Sequence, residues 1–522
     1  VVDPHRPDCP YPFKELAGVG VVFKLLCALE ERLGGGDRIS SVGQIVSRYS
    51  DLISIGTIAD VMPIKEENRL IVKYGLAMIA RTERPGLRAL IRSVSRKNDG
   101  RARADAMPEI TSSFVGYTIA PRINAAGRMG QIDLALNLFL TEDEEEAADL
   151  ARKLCDLNRQ RQQVESQIYN EAVSMLPAGQ PPEAIVLADE TWHQGVVGIV
   201  ASRMAEEYCC PTFLICLDGE HGKASSRSFG GFNLFASLTA LSDLLESYGG
   251  HELAAGFTIS RQNISQFREQ ICRRAAEYYC NSGPRTVLDI DCAITPELLT
   301  VRGIDSLSAL EPCGNGCPKP VLMMKNLIAE RISLVGNGRH MRLRLRDRHH
   351  TINAIYFSAN PQAVSIEQGD LVDVAFHPQV NEFRGERSVQ MNVLDIRPSC
   401  SYECCPEMGG YAHIATGTLT ADEAAVLLPE RSTLGAIWRY LAGLERTIQE
   451  DPLCLCRKIV RWANQPLSLG QLFVCLDIFR DVGLLRYTRQ HKDILIDLTP
   501  GDTKADLNQS QTMQILLRAK ES

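Results

Sequence analysis

Several short phrases in the chain set groups that chemistry needs beside small residues. The run DLISIGTIADVMPI closes on Asp60, and an aspartate at the end of an apolar strand is a common place for a metal-binding carboxylate. The plainer account is a turn-forming Asp. Two-metal hydrolysis needs several Asp or His ligands around ions about 3.5–4 Å apart, and no other phrase supplies the rest of such a set. PRINAAGRMG carries Arg122, Asn124 and Arg128 in a Gly/Ala-rich setting where long side chains can fold back onto a ligand. The alternative there is a helix N-terminus with two solvated arginines.

Three further phrases lie close together. TWHQGVVGIVASRM sets His193 just before a helix opened by Gly195, and GKASSRSFGGFN groups Ser225, Ser226, Arg227 and Ser228. YGGHELAAGF puts Gly249, Gly250 and His251 in a turn between elements. Helix starts, backbone N–H groups, hydroxyls and a guanidinium are what phosphate oxygens need. Each phrase alone reads equally as ordinary surface or core, and their proximity carries the argument. Further on, Arg339, Arg342, Arg344, Arg346 and Arg348 stand against a single Asp347. In a strand Arg342, Arg344 and Arg346 share one face, which makes a track for a single-strand backbone or a solvated edge protected by charge. Asp347-Arg348-His349-His350 falls at the predicted hairpin tip and reads as a decoy, not a metal site.

The elements that must position these groups follow from periodicity. Residues up to about Leu140 read as helical: Ala17 to Leu33, stopped by Gly34-Gly35-Gly36, and Glu66 to Ala80. A long helix is predicted from Thr141, with Thr141 and Glu144 as a capping box and Leu150, Leu154, Leu157, Val164 and Ile168 along one side to about Met175. At roughly 50 Å it would bridge two domains, and LPAGQPPE after it reads as a linker. From Ala184 to about Cys280 strands and helices alternate, as in an α/β domain. From about Pro284 to Pro398 the period is two, giving five or six strands of a small barrel. The remainder runs helix, turn, helix, hairpin, the order of a winged helix, with Ser468 capping a helix to Asp481 and Gly483 as its stop.

Composition sets the bounds. The 522 residues are 45% apolar and 23% charged, which excludes disordered, collagenous and coiled-coil classes and leaves room for three or four domains. The net charge of −8 gives no hint of a polyanion partner, because phosphate is bound by local patches and not by the average. The 17 cysteines are odd in number and scattered, without zinc-finger spacing, and read as reduced structural thiols. No run of 18 apolar residues occurs, so a cytoplasmic protein without membrane association is expected.

Taken together, PYPFKELAGVGVVFKL, IGTIADVMPIKEENR, PRINAAGRM, WHQGVVGIVASR, GKASSRSFGGFNL, YGGHELAAGF, LEPCGNGCPKP and NEFRGERSVQMNVLDIRP, in this order, resemble the bacterial RecJ exonucleases of the DHH phosphoesterase superfamily. The resemblance runs from Pro10 to Pro398, with KADLNQS at Lys504 to Ser510 a weaker match to an extra C-terminal domain. It implies an α/β multidomain chain: the C-terminal part of a DHH domain (1–140), a connecting helix (141–176), a DHH-associated α/β domain (182–281), an OB-fold barrel (284–398) and a winged-helix-like domain (405–522). It also implies a metal-dependent 5′-to-3′ exonuclease on single-stranded DNA, acting in repair and recombination, with Mn2+ or Mg2+ activating water in a two-metal site. Asp60 matches a metal ligand and catalytic aspartate. Arg122, Asn124, Arg128, Ser226 and Arg227 match phosphate-holding positions, and His193, Gly249, Gly250 and His251 line the cleft. Expected partners are single-stranded DNA, a single-strand-binding protein and a recombination helicase, on a monomeric enzyme.

The family's Asp-His-His triplet and remaining ligands would lie upstream of Val1, so the expectation is an incomplete metal site and a nearly inactive chain that still binds DNA. The competing reading is a non-catalytic single-stranded-DNA-binding scaffold of the same superfamily. Small oligoribonucleases and nucleotide phosphatases of the superfamily lack the barrel. Aminoacyl-tRNA editing proteins share a Gly-Gly-His domain but not LAGVGV or IGTIAD.

Overall fold

The computed structural model describes residues 2–34, 38–95, 108–177, 182–282, 287–336, 338, 340–359, 364–383, 386–399, 402–405, 408–444, 447–490, 492–499 and 505–521. Gly35, Gly36, Ala178 to Pro181, Pro284, Asn337, Arg339, Cys400 and Lys504, used in the sequence reading, lie outside them. The chain divides into two compact units: 1–176 with 181–279 and 307–319, and 177–180 with 280–306 and 320–522. Among the described residues no helix is long and apolar enough to cross a membrane.

The first unit begins with helices α1 (Gly18–Leu33), α2 (Arg38–Ala59), α3 (Glu66–Ile79) and α4 (Pro85–Ser95). A single turn, α5 (Ser112–Phe114), and one π-helical turn lead into α6 (Ala120–Arg128), followed by α7 (Ile132–Leu140). The segment ending at Asp60 is helical, not a strand. Its apolar residues Ile53 and Ile55 are buried among helices, and a run that short cannot be told from a strand by pattern alone. Helices α2 and α3 approach closely because Gly75 has no side chain: a Cβ there would sit 2.3 Å from the Ser50 carbonyl oxygen and 1.7 Å from the Ser54 hydroxyl.

Helix α8 (Glu144–Ser174) has 31 residues, hence about 46 Å. Its N-cap is Asp143, which accepts from Glu146 N–H at 2.8 Å, while Thr141 instead donates its hydroxyl to the Glu146 carboxylate. The predicted Thr141 box is thus replaced by an equally competent cap two residues on. Leu150, Leu154 and Leu157 pack with α4 and α7 residues such as Leu87, Ile91 and Leu138. The far end, Ile168 and Ala172, packs instead with Val196, Val197 and Val200. One helix therefore belongs to two cores.

The α/β part orders its strands β1 (Ile185–Asp189), β2 (Thr212–Asp218), β3 (His221–Arg227), β4 (Leu245–Gly250) and β5 (Ala254–Ser260) as β1-β2-β3-β5-β4. Strands β1 and β2 are parallel and joined through α9 (Gln194–Tyr208); α10 (Leu234–Thr239) and α11 (Ile264–Ser282) complete it. Cys210 and Cys216 are buried thiols that desolvation pushes up to about 12 and about 11, so they stay protonated and unreactive at neutral pH.

In the second unit β6 (Cys292–Ala293) and α12 (Val301–Leu307) precede β7 (Leu322–Val335), β8 (His340–Arg346), β9 (Thr351–Tyr356), β10 (Leu371–Phe383) and β11 (Glu386–Pro398). Pairing of β10 with β7 closes the last five into a barrel. Met341, Leu343 and Leu345 point inward, so Arg342, Arg344 and Arg346 point outward, as the period-two reading requires. Residues 307–319, expected with the barrel, cluster with the first unit instead.

The C-terminal part holds α13 (Gly409–Thr416), α14 (Ala421–Leu427), α15 (Arg431–Ala442), β12 (Thr447–Glu450), α16 (Pro452–Ala463), α17 (Leu469–Asp481), β13 (Leu485–Gln490), β14 (Asp493–Leu498) and α18 (Gln511–Glu521). The helix–helix–hairpin order of a winged helix is present, with Ser468 and Gln471 as a capping box and Gly483 at φ 79°. Every residue from Leu469 to Phe479 apart from Gln471 is buried, so α17 is a central core helix that cannot enter a DNA groove. Against the barrel, Arg457 makes a two-point ion pair with Asp370 at 2.6 and 3.2 Å, and Lys492 donates to the Ser399 carbonyl at 2.8 Å. Gly75→Val should overpack the α2–α3 contact and lower stability by about 1–3 kcal/mol, read as a shift of the urea unfolding midpoint with unchanged slope.

Candidate functional site

Helix α2 ends in a turn that is held from several sides. Met62 N–H bonds the Thr57 carbonyl and Val61 N–H that of Ile58, the double bond pattern of a Schellman ending with Asp60 just past the helix. Val61 takes the left-handed position at φ 55°, where glycine is usual and a β-branched residue is strained. Residues 310–319 brace it: Ile64 N–H donates to Asn315 O at 2.7 Å, and Asn315 Nδ2 donates to Val61 O at 2.9 Å. Arg69 reaches the same segment, donating to Leu310 O and Pro312 O at 2.8 Å each. LEPCGNGCPKP thus acts as a strap under the Asp60 turn.

Asp60 is exposed and borders an open depression of about 400 Å³ with Asn124, Ile123, Gly56 and Phe139. Two predicted residues therefore meet there. Among the described residues, the His/Cys/Asp/Glu group close enough to share an ion is Glu297, Asp347 and His350, all three in the second unit, whereas Asp60 belongs to the first. Asp347 Oδ1 there accepts from the backbone N–H groups of His349 and His350 at 2.9 and 2.6 Å, an ordinary turn cap. The residues around Asp60 do not by themselves fit a two-metal centre.

Arg122 and Arg128 part company. Arg122 folds back to donate to Thr118 O inside its own segment. Arg128, at the last turn of α6, donates to Gly195 O at 3.1 Å. Gly195 is obligatory there, because a Cβ would lie 2.1 Å from the Arg128 carbonyl oxygen. His193 caps α9, its Nδ1 accepting from Gly195 N–H at 3.1 Å, which leaves the ring exposed. On β3, strand parity decides which serine faces the helix. Ser226 is fully buried and donates to Ala255 O at 2.7 Å, so its hydroxyl is committed inside the sheet. Ser225 stands with Arg227 instead, both against Gly198 of α9, and Arg227 donates to Ser226 O at 2.8 Å.

Arg161 was not singled out from the sequence. It sits on α8, buried, with its guanidinium on Asn158 Oδ1 at 2.7 Å and on Glu165. The signal was available: Asn158 and Arg161 interrupt the apolar stripe of α8 between Leu157 and Val164. Burial lowers the pKa of Arg227, and the Arg128 charge lowers it further. Burial also lowers that of Arg128, followed by the Arg161 charge, with Glu165 opposing. Arg128 at Gly195 and Arg227 at Gly198 thus bring two guanidiniums to the start of α9, positive charge suited to an anion, while Arg161 is already paired with Glu165.

Gly249 and Gly250 end the edge strand β4, not a free turn. Gly250, at φ 137°, pairs with Ala255, whose other neighbour is Ser226, so this strand end and Arg227 share one end of the sheet. His251 follows, exposed. On the barrel, Arg331, Arg342, Arg344, Ser333, Asn353, Asn381, Ser388 and Gln390 line a groove of about 390 Å³. Glu330 pairs with Arg344 at 2.8 Å and Arg346 at 3.6 Å.

Comparisons with known proteins identify two segments of the chain and its family. A DHHA1 domain family model matches residues 182–277, and a RecJ OB domain model matches residues 290–395. The single-stranded-DNA-specific exonuclease RecJ of Bacillus subtilis is 35% identical over 399 residues, 76% of this chain and 48% of that protein. That of Haemophilus influenzae is 30% identical over 415 residues, 76% and 70% of the two chains. Crystal structures of RecJ from Thermus thermophilus superpose with TM-scores of 0.63 in complex with Mn2+ (33% identity, 76% of this chain, 55% of that) and 0.62 with Mg2+ (32%, 76% and 57%). The chain belongs to the RecJ family. It spans about half the length of the Bacillus relative.

If the guanidinium cluster takes a phosphate, inorganic phosphate should stabilise the fold over chloride of equal ionic strength, by about 2.7 kcal/mol at a hundredfold excess over its Kd, and raise the melting temperature accordingly. Differential scanning fluorimetry of the parent and of Arg227→Ala checks this, with the increment expected to vanish in the variant.

Proposed function

We propose that this chain binds single-stranded DNA and presents its phosphates for stepwise 5′-to-3′ hydrolysis, as part of a metal-dependent exonuclease of repair and recombination. The single observation that carries the reading is the meeting of Arg128 and Arg227 at the start of α9, beside Gly195 and Gly198. In it, Arg128 and Arg227 hold a phosphate, Ser225 supplies the nearby hydroxyl, and the α9 N-terminus adds its positive dipole. Asn124 and Asp60 face the neighbouring depression. Arg342, Arg344 and Arg346 guide the strand over the barrel.

Mn2+ or Mg2+ is the proposed cofactor, from the ions held by the Thermus structures, with Asp60 as one ligand. Because Asp60 has no partner ligand set among the described residues, the isolated 522-residue chain is expected to bind strands with little hydrolysis. Metal-dependent nucleotide release abolished by Asp60→Ala would overturn that expectation. The proposed parts are 1–140, 141–176, 182–281, 284–398 and 405–522, with 307–319 serving the first as its strap. A single-strand-binding protein and a recombination helicase are the protein partners expected from the family.

Salt titrations of fluorescence anisotropy test the DNA reading. Single strands should bind more tightly than duplex, and Arg342→Ala and Arg344→Ala should each lower the slope of log K against log salt by about 0.7. Equal affinity for both forms of DNA would favour a different substrate.

A further inference from the structure

The outward face of the barrel carries more than arginine. Along β8 the outward positions are His340, Arg342, Arg344 and Arg346; along β9 they are Thr351, Asn353 and Ile355. The register sets Arg346 beside Thr351, Arg344 beside Asn353 and Arg342 beside Ile355. The next outward residue beyond Ile355 is Phe357, which meets the His340 ring edge-on at a centroid distance of 5.3 Å. The arginine ladder therefore ends on an aromatic pair.

An exposed apolar residue alone means little. Phe357 is 53% exposed, yet its backbone is held in place at a cost. Ser358, immediately after it, adopts φ 52°, a left-handed conformation costing a non-glycine residue about 1–2 kcal/mol. His340 Nδ1 accepts the Ser358 N–H at 3.0 Å, which pins that turn and puts the neutral imidazole proton on Nε2. One histidine thus both supports the strained turn and packs against the ring that the turn presents. Strain of this kind, held by a specific contact, points to a use for the group it displays.

The groove itself, lined by guanidinium, amide and hydroxyl groups with Leu343, Ala354, Ile355 and Val389, contains no aromatic ring among its described lining residues. Tracking phosphates needs the first kind of group, whereas holding a base needs a π-face. We propose that Phe357, backed by His340, is the base-stacking step at the end of the arginine ladder, taking one nucleobase of a strand whose phosphates lie on Arg342 and Arg344. This rests on the reading of the barrel as a single-strand track. Outward positions on a strand repeat about every 6.7 Å, so Phe357 and Arg342 are adjacent stations for a base and a phosphate.

The test compares two probes on the full chain: oligodeoxythymidylate, and an abasic strand of equal length and charge. Phe357→Ala should weaken thymidylate binding about 5- to 150-fold, the range of a lost base–aromatic stack, and leave the abasic strand within about twofold. Phe357→Tyr should retain the affinity, while Phe357→Leu, apolar and similar in bulk, should behave as Phe357→Ala. Unchanged thymidylate binding in Phe357→Ala, or equal losses on both probes, would overturn the stacking step. Arg342→Ala and Arg344→Ala separate this from failure of the track, since they should weaken both probes alike; no effect on either would remove the track itself.

Discussion

The close approach of α6 to α9 at Gly195, which brings Arg128 near Arg227, is the constraint on which this part of the first unit depends. Like charges brought together in a partly desolvated place destabilise the fold unless something else holds the elements that carry them. Here that something is apolar. Helix α8 buries Ile168 and Ala172 against Val196, Val197 and Val200, and the same helix buries Leu150, Leu154 and Leu157 against α4. At about 1.5–3 kcal/mol per buried aliphatic side chain, these contacts outweigh the repulsion of a few partly screened guanidiniums. The backbone contact at Gly195 then fixes the distance, and Glu165 removes part of the excess. An anion would relieve what remains.

How much of this could be read beforehand depends on the range of the interaction involved. The barrel and the outward direction of Arg342, Arg344 and Arg346 follow from a period of two, because the strand pleat is local. The alternation of strands and helices from Ile185 onward was legible for the same reason. Ser226 shows the limit of that method. Sequence proximity to Arg227 suggested a shared role, but neighbours on a strand face opposite ways, and parity sets Ser225 beside the arginine. The strand expected before Asp60 failed on length, since a short apolar run fits a buried helix as well as a strand.

The strap formed by residues 310–319 was beyond sequence reasoning altogether. Its bonds to Arg69, Ile64 and Val61 span about 240 to 255 positions of the chain, and no local pattern announces them. Two glycines and two cysteines in LEPCGNGCPKP suit a metal knuckle or a turn, and the structure shows a turn whose backbone completes another element's helix ending. Arg161 was different: its buried place in the α8 stripe was visible, but a polar residue on an apolar seam reads as noise until its partners are known.

The two basic surfaces differ in a way that bears on how a strand could move. At α9, Arg227 is half-buried and Arg128 exposed, and desolvation followed by a neighbouring guanidinium lowers the pKa of each. The barrel ladder is open, and Glu330 already occupies Arg344 and Arg346. A phosphate arriving at Arg344 or Arg346 exchanges with that carboxylate instead of adding to it, so the net gain at those two stations is small. Small gains along a track favour sliding over firm capture. A strand lying on the barrel would then be held loosely, free to pass its phosphates from one arginine to the next.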